Sequence, residues 1–287
     1  MTRKELVIRE MAVTNAYIKG NKDIAIDYLM ELRERNLSKK LYRFRPPKMY
    51  EIDALKNKQI YLCRPSVYED SGDCKIEYNF PDLFEYFMSE VKPEKYRHLQ
   101  GILTDKTIVN ELTNAMNGNP KFIKINESIK NQCLVACITQ TYNDYMWEHY
   151  AQHHEGVCLE YEMDQVILAI KNDLRFFPIR YVDLRDDIED IRFDSSDCAD
   201  TNKSFHRSRM KYVLSCLTKN KVPFSKEYEW RLLYEYMELE DGKTGRLFDF
   251  ILPSKIYLGK NIINNTAFDK EITDFANSSG IPIEKIK

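Results

Sequence analysis

The chain has 287 residues, 43 basic and 45 acidic side chains, a formal net charge of −2 and 43% apolar residues. This composition excludes a disordered or fibrous chain, and the balanced charge argues against a general nucleic-acid or membrane binder. Glycine is scarce, and no G-x-G-x-x-G or G-x-x-x-x-G-K-[ST] string occurs, so Gly-rich phosphate loops are excluded.

No apolar run is long enough to span a bilayer, and the opening MTRKELVIREM lacks the apolar core of a signal peptide. Seven cysteines stand singly, at 63, 74, 133, 137, 158, 198 and 216, with no C-x-x-C pair. That spacing predicts free thiols in a reducing, cytoplasmic compartment.

Residues 1–40 read as an N-terminal helical hairpin, with Ile24, Tyr28 and Leu32 at i, i+4, i+8 on one helix. This extension carries nine basic and six acidic residues; it either packs on the main domain or offers a docking surface for a partner. The pattern changes at Leu41. LYRFR at 41–45 predicts a short strand stopped by Pro46-Pro47, and QIYLC at 59–63 predicts a second strand. Helices are expected between about 82 and 131. QCLVACITQ at 132–140 reads as an apolar strand, DYMWEHYAQHH at 144–154 as a helix ended by Gly156, and GVCLEYEM at 156–163 as a strand.

LRFFPIRYV at 174–182 predicts another strand. Residues 183–200 hold eight acids against two arginines and read as a solvated loop. A helix at about 201–217 follows. Strands are then expected at 227–236, 246–252 and 255–259, a helix at 265–278, and a closing strand in IPIEKI. The order is α+β rather than regular βαβ alternation, which argues against a doubly wound sheet. The division is an extension at 1–40 and a main domain at 41–287.

Four groups of residues could carry chemistry. The first is KEYEWR at 226–231. Alternation along a strand turns Glu227, Glu229 and Arg231 to one face and Tyr228, Trp230 and Leu232 toward the core. Two carboxylates on one enclosed face suit general-base work or the binding of sugar hydroxyls; on an open face they are simply solvated, with Arg231 pairing one of them. The second is Arg43 and Arg45, which share a strand face; they suit a diphosphate or a carboxylate, or are simply two surface arginines on an edge strand.

The third is the window 203–226, with seven Lys or Arg and no acid, including Lys203, Arg207, Arg209 and Lys211. It suits a polyanion such as nucleic acid, or the neighbouring acidic loop. The fourth is the aromatic stripe of Trp147, Tyr150 and His154 on one helix, which reads mostly as core. His149 and His153 stand at i, i+4 without H-E-x-x-H, so no metal is expected.

In order along the chain, LYRFR, IYLCRPSVYED, ITQTYNDYMWEHYA, EGVCLEYE, FPIRYV, KEYEWRLL and ILPSKIYLG resemble a bacterial domain family of unknown function, over about residues 41–287. The layout is also distantly similar to ADP-ribosyltransferase toxins. Leu41-Tyr42-Arg43 stands at their first strand, Glu227-x-Glu229 at their late catalytic strand, and Leu252-Pro253-Ser254 follows. Tyr61-Leu62-Cys63 stands where such folds carry Ser-Thr-Ser.

That resemblance implies a split β-sheet core with helical insertions and NAD as substrate. It implies Glu229 facing the reacting ribose and Glu227 activating the acceptor. It also implies Arg43 and Arg45 on the cofactor phosphates, Tyr150 or Trp147 stacking on nicotinamide, and a toxin or anti-phage role. The acceptor would be nucleic acid or protein, with an antitoxin or chaperone as a further partner. Two alternatives stand beside it: a non-catalytic nucleotide-binding sensor or interaction module, and a metal-dependent nuclease using Glu227 and Glu229.

Overall fold

A computed structural model describes residues 30, 40–68, 70, 73–74, 77–78, 101, 103–120, 123–124, 130, 133–170, 174–183, 192–193, 212–235, 242–263 and 266–287. The expected N-terminal hairpin, most of the acidic loop, and Lys203, Arg207, Arg209 and Lys211 lie outside the described residues. Among the described residues no helix is long and apolar enough to cross a membrane.

The elements are β1 (Lys40–Arg45), α1 (Met49–Lys56), β2 (Gln59–Cys63), β3 (Glu77–Tyr78), α2 (Lys106–Asn117), β4 (Cys133–Thr139) and α3 (Asp144–Tyr150). Next come β5 (Val157–Glu162), α4 (Met163–Ala169), β6 (Leu174–Pro178), β7 (Arg180–Val182), β8 (Arg192–Phe193) and β9 (Thr218–Asn220). The chain closes with β10 (Glu229–Glu235), β11 (Gly245–Asp249), β12 (Lys255–Leu258), α5 (Ala267–Ser279) and β13 (Ile283–Lys285).

The fold is α+β, built on a mixed nine-stranded sheet of order β11-β2-β4-β1-β5-β12-β13, with β10 joining β4 to β6. β1 runs antiparallel to β5 over its full length, Lys40 opposite Glu162 and Arg45 opposite Val157. β12 and β13 are parallel, which makes the sheet mixed. β4 joins its neighbours through single described rungs, Tyr42 to Thr139 and Cys63 to Val135.

Alternation along β1 decides which helix covers which face. Tyr42 and Phe44 face α3, where Phe44, Met146, Trp147, Ala151 and Cys158 form one apolar cluster. The edge of Phe44 meets Trp147 at 5.1 Å between ring centroids, and His154 stacks on the indole at 5.7 Å. Arg43 and Arg45 point from the opposite face to Glu51 of α1.

The helix expected through His154 stops at Tyr150. Gln152, His153 and His154 all have positive φ, so the chain turns in the left-handed sense before Gly156. Glycine is required there, because a Cβ would lie 2.1 Å from the Arg45 carbonyl oxygen. The strand expected over 174–182 is interrupted at Ile179, whose N–H bonds the Glu229 carbonyl at 2.9 Å.

The chain divides into two compact units. The first holds Met1–Cys63, Leu134–Tyr181 and Lys221–Lys287; the second holds Arg64–Cys133 and Val182–Asn220. In the second, α2 is capped by the Asp105 carboxylate, which accepts from the Thr107 and Ile108 N–H groups. Among its described residues, polar groups are buried beside apolar ones such as Val213, Leu214 and Leu217. Lys130 donates to the Asp73 carbonyl at 2.9 Å, Tyr212 donates to the Lys130 carbonyl at 2.9 Å, and Lys219 lies 3.8 Å from the Asp73 carboxylate. Cys74, Cys133 and Cys216 are buried there. Every described cysteine is a free thiol.

Candidate active site

The end of β4 anchors the segment that leads into β10. The Thr139 hydroxyl donates to the Glu227 carbonyl, and the Gln140 N–H donates to the Tyr228 carbonyl at 3.2 Å. These contacts hold a 3-10 turn over Ser225–Glu227 and a left-handed Tyr228 with φ 44° and ψ 49°. Only then does β10 begin, at Glu229.

The common strand face expected for Glu227 and Glu229 is therefore not formed. Glu227 belongs to the turn, because the left-handed Tyr228 breaks the two-residue alternation on which that expectation rested. Tyr228, expected in the core, is 51% exposed. Trp230 and Leu232 are buried as expected, with Trp230 stacked on Phe176 at 4.9 Å.

Both carboxylates are nevertheless buried, Glu227 to 1% exposure and Glu229 to 4%. Burying a charge is costly unless it is matched by hydrogen bonds or a counter-ion. Glu227 receives the Tyr150 hydroxyl, whose ring is 39% exposed. Glu229 receives Arg231, with Nε 2.6 Å from Oε1, and the Arg231 side chain is fully buried. The Glu229 N–H donates to the Tyr181 phenolic oxygen at 3.0 Å. Thr139, Tyr181 and Tyr228 went unread in the sequence as parts of this site; they are remote from it or, for Tyr228, face the other way in an ideal strand.

The two arginines of β1 share Glu51. Arg45 Nε lies 2.6 Å from Oε1, and Arg43 lies 3.8 Å from Oε2 and 3.5 Å from the Tyr61 carbonyl. Burial and the Arg45 charge lower the pKa of Arg43. Burial lowers that of Arg45 too, but the Glu51 charge and hydrogen bond outweigh it, and the net shift is upward. Tyr150 lies on the helix that covers the other face of β1, so the structure does not bring Arg43 and Tyr150 to one face.

Trp147 is buried to 2% exposure in the α3 cluster. His153 Nδ1 pairs with Glu148 at 2.6 Å at the surface. Among the described residues, no group of three or more His, Cys, Asp or Glu side chains is arranged to hold a metal ion.

The geometry thus defines an α+β protein with two buried carboxylates at the head of a central strand, one held by a tyrosine and one by an arginine. Residues 146–232 match a family described as a protein of unknown function, DUF2971. That stretch contains Trp147, Tyr150, Glu227, Glu229 and Arg231. No curated protein and no solved structure matches the chain, and these comparisons give no similarity to ADP-ribosyltransferases.

Proposed function

We propose that the chain is an NAD-dependent ADP-ribosyltransferase that works as a bacterial toxin or anti-phage effector. The observation that carries the reading is the pair of buried carboxylates, Glu227 and Glu229, flanking the half-exposed Tyr228 at the start of β10. The order of LYR, E-x-E and L-P-S strings supports the same reading.

In the proposed reaction the bond between nicotinamide and the ribose C1′ breaks, and nicotinamide leaves with the bonding electrons. The sugar passes through an oxocarbenium-like cation, which an anionic carboxylate in a low-dielectric site stabilises. Glu229 takes that role, with Arg231 as its resting counter-ion. The acceptor nucleophile on nucleic acid or protein then bonds to C1′ and gives its proton to Glu227, which Tyr150 orients. A cofactor diphosphate would reach Arg43 and Arg45 only by displacing Glu51, so the reading rests on the carboxylates and not on those arginines.

The test is incubation of the purified chain with labelled NAD and cell extract, with free nicotinamide and transferred label as readouts. Wild type should release nicotinamide; Glu227→Gln and Glu229→Gln should abolish release. Glu229→Gln also removes the charge opposite a fully buried guanidinium, at a cost of about 3 kcal/mol, so its folded fraction is measured alongside. Full activity in both variants would overturn the assignment.

A second reading, a non-catalytic nucleotide-binding module, is favoured by one observation. Glu229, the carboxylate that would have to steady the sugar cation, is already paired with the buried Arg231. Saturable NAD binding without nicotinamide release would select it.

A further inference from the structure

Glu160 lies on β5, inside the sheet, and is 3% exposed. Strand register places it between Tyr42 of β1 and Lys255 of β12, and Lys40 stands two residues before Tyr42 on the same face. Each carboxylate oxygen has a donor. The Lys40 ammonium meets Oε1, and the Tyr257 hydroxyl meets Oε2 at 2.9 Å. The two halves of this ion pair are unequal: the carboxylate is enclosed, whereas the Lys40 side chain is 44% exposed. A buried carboxylate needs a cation, but a long, exposed lysine supplies one that can swing out and be exchanged.

Three tyrosine rings stand beside that carboxylate. Tyr257 bonds it directly, Tyr42 is its cross-strand neighbour, and Tyr142 touches both, at 5.2 Å from Tyr42 and 5.0 Å from Tyr257 between ring centroids. α3 packs on the Phe44 end of this face, while Lys40 and Tyr142, the latter 40% exposed, reach solvent. A second ammonium already uses the rings. Lys255 Nζ lies 4.5 Å from the Tyr257 centroid and 2.7 Å from Glu284. The face therefore holds two alkylammonium groups of the chain itself, through carboxylates, a phenol and an aromatic face, the groups that attract such cations. An anion would meet Glu160 and Glu284 here, so charge selects a cation.

We propose that Glu160, with the rings of Tyr142 and Tyr257, binds a primary alkylammonium group from another molecule, and that Lys40 is the built-in occupant it displaces. The shared chemistry is a methylene chain ending in an ammonium; a lysine side chain of a polypeptide and a free polyamine are its two sources. The inference uses neither Glu227 nor Glu229 and holds whether or not the chain cleaves NAD.

The experiment titrates wild type, Lys40→Met, Glu160→Gln and Tyr142→Ala with n-butylammonium, which reproduces the end of a lysine side chain. Tyrosine ring NMR signals report binding, and melting temperature is followed in parallel. Wild type should bind at about 1 mM, as suits one small cation. Lys40→Met should bind about tenfold tighter, because the internal competitor is gone. Its melting temperature should rise with n-butylammonium chloride and not with sodium chloride at equal ionic strength. Glu160→Gln should not bind. Tyr142→Ala, which leaves the ion pair in place, should bind about threefold more weakly for loss of a ring face. Tetramethylammonium, with no N–H to donate to the carboxylate, should bind more weakly than n-butylammonium.

The same titration with Nα-acetyl-lysine amide and with spermidine separates the sources: the tighter of the two names the polypeptide or the polyamine. No saturable binding of n-butylammonium by wild type overturns the inference. So does equal affinity in wild type and Glu160→Gln, or equal affinity in wild type and Lys40→Met. Where either of those variants fails to fold, unchanged affinity in Tyr142→Ala overturns it.

Discussion

The phenol of Tyr150, at the last residue of α3, donates its proton to the carboxylate of Glu227, 77 residues further along the chain. This one contact ties the helix packed on Phe44 to the turn that begins β10. Tyr150→Phe removes the donor while keeping the ring, so Glu227 stays buried with one partner fewer. The expected cost is about 1–3 kcal/mol, read from the denaturant midpoint. A midpoint equal to that of wild type would show that the bond contributes nothing to the fold.

Glu51 holds two guanidinium groups together on the opposite face of β1. Glu51→Ala would leave Arg43 buried beside Arg45 with their shared counter-ion gone. A loss of about 3 kcal/mol or more is expected. Glu51→Gln should recover part of it by keeping acceptor oxygen in place, and equal stability of the Ala and Gln variants would contradict this account.

Gly156 is expected to tolerate no side chain. A Cβ there would stand 2.1 Å from the Arg45 carbonyl oxygen and 3.1 Å from that of Ala151, and backbone atoms cannot swing aside as a side chain can. Gly156→Ala should cost about 3 kcal/mol by overpacking. Gly101→Ala, with nothing within 4 Å of its added methyl, is the matched control and should change little. Equal unfolding midpoints for the two variants would count against the packing described here.

Alkaline pH should weaken the fold. Burial first, with the neighbouring Cys158 adding to it, pushes the Tyr142 phenol up to about 12. Burial also raises Tyr161, and burial with the Glu160 hydrogen bond raises Tyr257. An unfolded phenol ionises near pH 10, so these groups favour the folded state fully below about pH 10. The contribution of Tyr142 is lost as pH climbs from about 10 through 12, where its folded phenol ionises in turn. Melting temperature and tyrosinate absorbance followed over about pH 8–12 should fall and rise together. Ionisation of every tyrosine near pH 10 without loss of melting temperature would refute it.

Local patterns in the chain announced most of the sheet. Tyr42 and Phe44 alternate with Leu41, Arg43 and Arg45, and Pro46 ends the run; the strand observed is Lys40–Arg45. QIYLC at 59–63 coincides with β2 residue for residue. The helix expected at 265–278 lies at Ala267–Ser279, capped by Thr266 and closed by the left-handed Gly280. In these segments neighbouring residues carry the decisive information, because side-chain direction follows from strand or helix period alone.

The site was legible as composition and not as geometry. Glu227 and Glu229 stand out in KEYEWR as a pair of acids beside tryptophan, yet strand period carried through Tyr228 misassigns both Glu227 and Tyr228. The positive φ at Tyr228 is sustained by hydrogen bonds from Thr139, the last residue of β4, and from Gln140 just after it, nearly 90 residues away. Likewise, two arginines on a strand face announce an anion but do not name it. Only the packing of α1 on that face shows that Glu51 of the same chain supplies it. The sequence by itself determined the periods, the caps and the inventory of charged and aromatic groups, because these depend on residues within a few positions of one another. Tertiary structure alone decided which of those groups meet, because a buried carboxylate takes its partner from whatever element the sheet brings alongside.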